Sequence, residues 1–307
     1  MSRALAFSLT LLAIIAFAGN SLLCRLALKS TGIDAASFTL IRIASGALSL
    51  WMIVRLRGYT RSRRLGALPT SMSGGGTRGV AGSWASALAL FAYAACFSYA
   101  YISLPAATGA LLLFGAVQAT MIGYGLWTGE RLGLRQSAGL TCASAGLAFL
   151  MLPGLVSPDT IAPPLSSSML MLSAGIAWGV YSLRGKGVAD PTGATMGNFL
   201  RAAPVALALS MIALPWTSLD RNGICYAIAS GALTSGVGYA IWYTALRGLK
   251  ATSAAAVQLS VPVFAAIGGI VFLGESISLR LVVASTAILG GIALVVVERY
   301  AVRRRDH

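Results

Sequence analysis

Apolar stretches about as long as a bilayer-spanning helix recur along almost the whole sequence. We count ten of them, at residues 4–23, 34–54, 80–101, 106–127, 134–152, 167–184, 194–214, 222–246, 252–273 and 279–297. A helix needs roughly 20 apolar residues to cross the hydrocarbon core, and 57% of the 307 residues are hydrophobic while 10% are charged. One soluble core could not bury so much apolar surface. The sequence therefore predicts an all-α integral membrane protein with ten transmembrane helices, which has lipid as a partner.

The basic residues are distributed unevenly between the connecting segments. The net charge is +15, which by itself could suggest a nucleic-acid partner. If the amino terminus is cytoplasmic, however, seventeen of the 23 Lys and Arg residues fall on the inner side and only Arg25, Lys29, Arg221 and Arg280 on the outer side. Cytoplasmic loops of membrane proteins retain positive charge in this way. The pattern predicts a multi-pass protein of the cell inner (plasma) membrane with both termini cytoplasmic, and no nucleic-acid partner.

The two parts of the chain resemble each other. Residues 100–148 align with residues 245–293 at a constant offset of 145. The alignment superimposes Gly129-Glu130 on Gly274-Glu275 and Leu134-Arg135 on Leu279-Arg280. Chance matches are common among apolar helices, but a shared Gly-Glu followed by a shared Leu-Arg is less easily attributed to chance.

The second predicted helix of each half also carries an arginine. The segment 37–42 resembles the segment 196–201, and both end in the arginine, Arg42 or Arg201. A unit of five helices reverses direction across the membrane, so its copy must run the opposite way. We therefore predict two inverted five-helix repeats, residues 1–152 and 153–307, which form one membrane domain. Inverted repeats of this kind support alternating access to a site near the membrane midplane.

At this point the sequence resembles the EamA family of the drug/metabolite transporter superfamily. The resemblance rests on ten helices, a five-plus-five duplication, Trp178-Gly179 in the first helix of the second half, an arginine in the second helix and a glutamate after the fourth. The first half has Ala18-Gly19 where the family often has Trp-Gly. The resemblance implies a secondary transporter and a central cavity surrounded by the first, third, fourth, sixth, eighth and ninth helices.

Aromatic and amide residues on these helices are the candidates for lining the cavity. They are Asn20, Tyr93, Phe97, Tyr101, Gln118, Trp178, Tyr181, Tyr239, Trp242, Tyr243 and Gln258. Three of them, Tyr93, Phe97 and Tyr101, are spaced by four and share a helix face. Alternatively, such aromatic stripes take part in helix packing or in the aromatic belts at the membrane–water interface. A cavity with aromatic walls and a few amides suits an amphipathic solute such as an amino acid.

Two kinds of charged residue are further candidates. Arg42 and Arg201 lie inside predicted spans, where one or both could bind a substrate carboxylate or phosphate. Alternatively, they cap helix carbonyls or extend toward an interface. At the helix ends, Glu130 with Arg135 and Glu275 with Arg280 could form ion pairs that either orient helices or act in gating.

Enzymatic signatures are mostly lacking in the sequence. The single histidine is the terminal His307, and the four cysteines show no paired metal-ligand spacing, so we expect no metal, no cofactor and no enzymatic activity. All eight acidic residues lie at predicted helix ends or in loops. We therefore expect facilitated exchange or proton coupling through the substrate rather than a carboxylate relay.

The favoured hypothesis is an exporter or exchanger of small metabolites, most of all amino acids. Cationic drugs, nucleotide-sugars and phosphorylated metabolites are alternative substrates, and a membrane receptor or scaffold is the alternative class. Small residues in the fifth and tenth spans allow close helix contact, so we expect the protein to be a monomer or a homodimer.

Overall fold

The computed structural model describes residues 3–64, 81–129, 133–151, 163–185, 188–246 and 258–303. Every regular element within these ranges is a helix. The chain is thus all-helical over the described residues, as the apolar pattern predicted. Glu130, one of the proposed ion-pair residues, lies outside these ranges.

Eleven α-helices and one π-helical segment follow one another within the described part of the chain. They are α1 (Arg3–Ser30), α2 (Ala35–Arg64), α3 (Trp84–Tyr101), α4 (Ala106–Trp127), α5 (Leu134–Met151), α6 (Leu165–Gly185), α7 (Pro191–Ile212), α8 (Arg221–Ala229), the π segment (Ser230–Val237), α9 (Gly238–Leu246), α10 (Val261–Leu273) and α11 (Leu279–Arg303). The elements α8, π and α9 are continuous, and we call them together the α8–α9 run. A short 3₁₀ turn, Leu214–Trp216, follows α7.

Six helices in the described residues are long and apolar enough to cross a membrane by themselves. They are Phe7–Ser30, Ala35–Arg57, Trp84–Tyr101, Ala106–Trp127, Pro191–Ile212 and Arg221–Ala245. Two shorter apolar stretches are Val261–Leu273 and Leu279–Leu294. Lipid offers no hydrogen-bond partners to the backbone. Helices of this length and apolarity suit a membrane because their backbone N–H and C=O groups are paired within the helix. The chain is therefore a multi-pass membrane protein, whereas the count of ten spans stays a prediction.

Short polar side chains start several of these helices. Asp34, Asp190 and Asp220 accept hydrogen bonds from the backbone N–H groups of residues three positions later, and Ser83 accepts one from Ser86. Such caps satisfy donors that the first helical turn leaves open. At the other end of α10, Gly274 has φ +63° and stops the helix. The helix ends are thus encoded locally in the sequence.

The helices of the two halves pack against each other rather than forming two separate bundles. Helix α1 packs on the α8–α9 run and on α10, while α6 packs on α3 and α4. Likewise α2 packs on the π segment, and α3 packs on α7. The pairs α2 with α7 and α5 with α11 complete the arrangement. Most of these contacts between the halves have a counterpart in which the halves exchange roles, whereas the contact of α4 with α11 has none among the described helices.

Glycine allows one of these contacts to be very close. A side chain at Gly231, in the π segment, would overlap the carbonyl oxygen of Arg42 and the hydroxyl of Ser45 on α2. Small residues let membrane helices approach in this way. This close approach places side chains of α2 and of the π segment next to each other in the interior of the protein.

Candidate functional site

A small chamber lined by buried residues lies where α1, α3, α4, α6 and the α8–α9 run meet. Its volume is about 20 Å³, which is room for little more than one water molecule. Five of the predicted cavity residues line it: Asn20, Tyr93, Phe97, Trp178 and Tyr239. Sequence reasoning missed Phe17, Ser21, Leu113, Phe114 and Thr234, which also line it. They carry no signal that separates them from ordinary apolar or small residues in a span.

Aromatic rings form most of the chamber wall. The centroid of Trp178 lies 4.9 Å from that of Tyr93 and 5.1 Å from that of Tyr239. Phe17 meets Tyr239 edge-on at 5.9 Å. Tilted and edge-on pairs are the favoured arrangements of aromatic rings. The wall is therefore a connected cluster contributed by both halves of the chain.

A hydrogen-bond network crosses the chamber between the two halves. The amide nitrogen of Asn20 donates to the Tyr93 hydroxyl at 3.1 Å. Its amide oxygen accepts from Ser230 at 2.7 Å and from Thr234 at 3.2 Å. Both of these residues belong to the π segment, and such segments inside α-helices occur frequently at functional sites. The network therefore joins α1 and α3 to the π segment, which is the one π-helical segment among the described residues.

Arg42 contacts the same network from α2. Its side chain is among the largest that are fully buried, with 2% exposed. Nη2 donates to the Tyr93 hydroxyl at 3.0 Å and Nε contacts the Ser235 hydroxyl at 3.5 Å. The guanidinium also lies 5.1 Å from the Tyr93 ring centroid and 4.9 Å from that of Phe97. These distances are in the range of cation–π contacts.

A second, larger cavity lies beside the chamber. Its volume is about 280 Å³, and two predicted residues, Tyr181 and Tyr243, line it together with Ser83, Ser86, Arg184, Thr195 and Asn198. The Tyr181 hydroxyl donates to Thr195 at 3.3 Å and accepts from Asn198 at 3.4 Å. Tyr181 stacks on Trp178 with 5.5 Å between centroids and 29° between planes. The Trp178–Tyr181 stack thus separates the two cavities.

Four predicted cavity residues line neither of these two cavities. Tyr101 is fully buried and donates to the carbonyl of Ala106 at 3.3 Å. Trp242 packs edge-on against Phe17 at 5.7 Å. Gln118 is buried, and Gln258 is partly buried. In this conformation Tyr101 and Trp242 take part in helix packing.

Arg201 has different surroundings from Arg42. Its Nη1 donates to the carbonyl oxygens of Ala81 at 3.1 Å and Gly197 at 3.0 Å. These contacts correspond to the alternative in which the arginine caps backbone carbonyls. Of the two arginines, Arg42 is the one in contact with residues of the chamber.

An ion pair lies where the end of α1 meets the α3–α4 and α10–α11 turns. Arg25 Nε contacts Glu275 Oε1 at 3.3 Å, and Arg25 Nη1 donates to the carbonyls of Tyr101 and Ile102. Glu275 Oε2 accepts from the backbone N–H of Ala106 at 2.8 Å. We call this set the Arg25–Glu275 clamp. It joins residues from both halves.

The clamp corrects the expected partner of Glu275. The sequence suggested a pair with Arg280, but Glu275 pairs with Arg25, and Arg280 donates to the Phe149 carbonyl at 3.0 Å. Arg25 is far away in the sequence, so local spacing could not reveal it. Arg135 is exposed at the start of α5.

A second link between the halves lies on the same side. The backbone N–H of Asp34 donates to the Ser218 carbonyl at 3.0 Å, and the Ser218 N–H donates to the Asp34 carboxylate at 3.1 Å. Partial burial alone would raise the pKa of this carboxyl, but hydrogen bonds from Ser37, Ser218 and Ala36 outweigh it, so the pKa is lowered.

The fold and the site define a multi-pass membrane protein with a small, buried chamber of aromatic and polar residues between its halves. The EamA-like transporter family model matches residues 165–297. An uncharacterised protein of Pseudomonas aeruginosa is 51% identical over 298 residues, which are 97% of this chain and 96% of that protein. The chain belongs to the EamA-like transporter family. Members of this family are membrane transporters of small molecules rather than enzymes.

Two further similarities are consistent with this assignment. The uncharacterised transporter YoaV of Bacillus subtilis is 24% identical over 168 residues, which cover 53% of this chain and 57% of that protein. A solved crystal structure shares the fold with a TM-score of 0.62 at 16% identity, over 97% of this chain and 99% of that chain.

Proposed function

We propose that this protein is a secondary transporter that exports or exchanges small metabolites, with amino acids as the favoured substrates. In this proposal it has ten spans and lies in the cell inner membrane with both termini in the cytoplasm. Residues 1–152 and 153–307 act as two inverted repeats. Transport proceeds by alternating access, in which one repeat rocks against the other around a shared site.

The helix contacts support the two-repeat arrangement. When α1 to α5 are exchanged with the corresponding helices of the second half, α1 on the α8–α9 run becomes α6 on α3, and α1 on α10 becomes α6 on α4. The pairs α2 with α7 and α5 with α11 map onto themselves. A pseudo-two-fold axis between the halves would produce this pattern.

The observation that carries the proposal is the buried chamber between the two halves. Its walls combine aromatic rings with the Asn20 amide and the hydroxyls of Ser230 and Thr234. Binding sites for small amphipathic solutes have this composition, with apolar walls and a few oriented polar groups. Organic cations fit the site less well, since no carboxylate lines the chamber among the described residues.

Different barriers limit the chamber at its two ends. The Arg25–Glu275 clamp and the Asp34–Ser218 link join the halves at the end that the topology places outside. Toward the inside, the Trp178–Tyr181 stack separates the chamber from the cavity of about 280 Å³. We interpret the conformation as one with the outer side closed and an open inner vestibule.

Transport by purified protein in liposomes tests the proposal. Labelled amino acids and other metabolites are screened with and without a proton gradient, and with unlabelled solute inside to detect exchange. We expect uptake of at least one amino acid, and a reduction of about tenfold or more in Trp178→Ala, which loses a wall of the chamber. Trp127→Ala is the control because Trp127 is 87% exposed.

Two outcomes would count against the proposal. Lack of transport of every solute tested, by a protein that remains folded, would favour a receptor or scaffold. Equal transport by the Trp178 and Trp127 variants would reject the chamber as the substrate site.

A further inference from the structure

No acidic side chain balances the charge of Arg42 among the residues that the structure describes. A guanidinium stays protonated in proteins, and burying it without an ion-pair partner is unfavourable. Its contacts are neutral: the Tyr93 hydroxyl, the Ser235 hydroxyl and the rings of Tyr93 and Phe97. Among the described residues the one ion pair joins Arg25 to Glu275. Within the described part of the chain, the guanidinium of Arg42 is therefore an unbalanced positive charge next to the chamber.

One hydrogen-bond donor of Arg42 is unused. Its Nη1 is buried and makes no hydrogen bond within the described part of the chain. Burying a donor without an acceptor is unfavourable, and most buried polar groups have a partner. An acceptor that arrives with the substrate would satisfy it.

Tyr93 provides a second unused donor at the same place. Its oxygen accepts from Asn20 Nδ2 and from Arg42 Nη2. A phenol oxygen accepts at most two hydrogen bonds and has one proton to donate. Both acceptor positions are thus occupied, and no hydrogen bond from the Tyr93 proton is found among the described residues. Since Tyr93 lines the chamber, its O–H can reach a solute there.

We propose that Arg42 Nη1 and the Tyr93 O–H together bind the carboxylate of the transported solute. This inference rests on the proposed function and names the recognised group. One unbalanced guanidinium matches a single negative charge, so it favours a carboxylate over a phosphate dianion. The rings of Trp178 and Tyr239 also line the chamber, where they can contact an ammonium group or an apolar side chain. The solute is therefore a monocarboxylate, with an amino acid zwitterion as the best match.

The chamber must widen before such a solute enters, because about 20 Å³ is too small for it. Separation of the Trp178–Tyr181 stack would connect the chamber to the larger cavity. The carboxylate would then replace the missing partner of Arg42 while the chamber closes again. The loaded chamber is thus better balanced in charge than the empty one.

Ligand-dependent thermal stabilisation of the detergent-purified protein tests the site independently of transport. The probes are matched sets of an amino acid, its primary amide and its decarboxylated amine, with chloride and inorganic phosphate as further arms. We expect at least one amino acid to raise the unfolding temperature while its amide and amine do not. Stabilisation by chloride or phosphate to the same extent would overturn the carboxylate assignment.

Variants identify the residues responsible. Arg42→Gln and Tyr93→Phe should each weaken binding of that amino acid about ten- to hundredfold, because each removes a hydrogen bond to a charged group. Arg55→Gln and Tyr124→Phe are matched controls, because both residues are exposed. Arg42→Lys retains the positive charge and tests whether a protein with a substitution at this position still folds. Unchanged affinity in folded Arg42→Gln protein, or no stabilisation by any amino acid, would overturn the proposal.

The outcomes also separate this inference from the proposed function. Transport that is unaffected by Arg42→Gln would reject the carboxylate site and leave the transporter assignment in place. Binding that depends on Arg42, without transport of the same amino acid, would support the carboxylate site and reject the transporter assignment.

Discussion

Arg42 and Arg201 end two similar segments of the sequence, 37–42 and 196–201, yet their side chains differ in what they contact. Arg201 donates to two backbone carbonyls, whereas Arg42 is buried against Tyr93, Phe97 and Ser235. The sequence identified both as unusual because charges inside spans are costly. It could not separate them, since the difference depends on neighbours that are distant in the chain. The role of Tyr93 likewise depends on neighbours that are distant in the chain.

At Asp34 a single carboxylate holds two loops together, and its effect depends on pH. Because the pKa of Asp34 is lowered in the folded state, its stabilisation is present above the ordinary aspartate pKa of about 3.9 and is lost as the pH falls through the folded value. Asp34→Asn keeps a capping side chain but removes the charge. We expect it to lower the free energy of unfolding by about 1 kcal/mol at pH 7.

The measurement is thermal unfolding of the wild type and of Asp34→Asn in detergent from pH 7 to pH 3. The difference between the two proteins should begin to shrink below about pH 4 and continue to shrink as the pH falls toward the lowered pKa of the folded state. A difference that stays constant down to pH 3 would contradict the role of the charge.

At the scale of elements, the π segment is where the second half contacts Asn20 and Arg42 of the first half. It presents Ser230 and Thr234 to Asn20, and Ser235 to Arg42. Its Gly231 lies directly against the backbone of α2. The sequence predicted one continuous span here but did not reveal the π winding, because the winding follows from how the helix packs.

A side chain at Gly231 should therefore disturb this contact. In Gly231→Ala the added methyl would overlap the Arg42 carbonyl and the Ser45 hydroxyl, and we expect a loss of about 2 to 3 kcal/mol in the free energy of unfolding. The matched control is Gly290→Ala, since nothing lies within 4 Å of the added atom there. The measurement is the midpoint of thermal unfolding. Equal midpoints for the two variants would show that α2 and the π segment can separate at no cost.

At the scale of the whole molecule, the Arg25–Glu275 clamp links the halves at one end. Alternating access requires this link to break each time the outer side opens. The pair is partly buried, with 10% of each side chain exposed, and it also restrains the turns that begin α4 and follow α10. Its strength should therefore influence how often the outer side is open.

Removal of the charge tests this role. Glu275→Gln should weaken the clamp by about 1.5 kcal/mol, which raises the population of the outward-open state roughly tenfold. The measurement is the rate at which a membrane-impermeant maleimide labels Ser21→Cys from outside, in a protein whose four native cysteines are replaced. Lys29→Gln is the control because it is exposed on the same helix. An unchanged labelling rate in Glu275→Gln would exclude the clamp from gating.

The sequence by itself determined the all-helical membrane class, the approximate positions of the apolar helices and the family. These follow from local composition, namely apolar runs of sufficient length and motifs in a fixed order. It also identified Asn20, Tyr93, Phe97, Trp178 and Tyr239, which line the chamber, because polar and aromatic residues stand out in an apolar span.

Tertiary structure alone decided which of those residues meet and which charges pair. Arg25 lies 250 positions from Glu275, and Asn20 lies 210 positions from Ser230. Tyr101 and Trp242 carry the same sequence signal as Tyr93 and Trp178 but lie outside the chamber. A contact between distant helices depends on the rotation and separation of both, and neither is encoded in a local pattern.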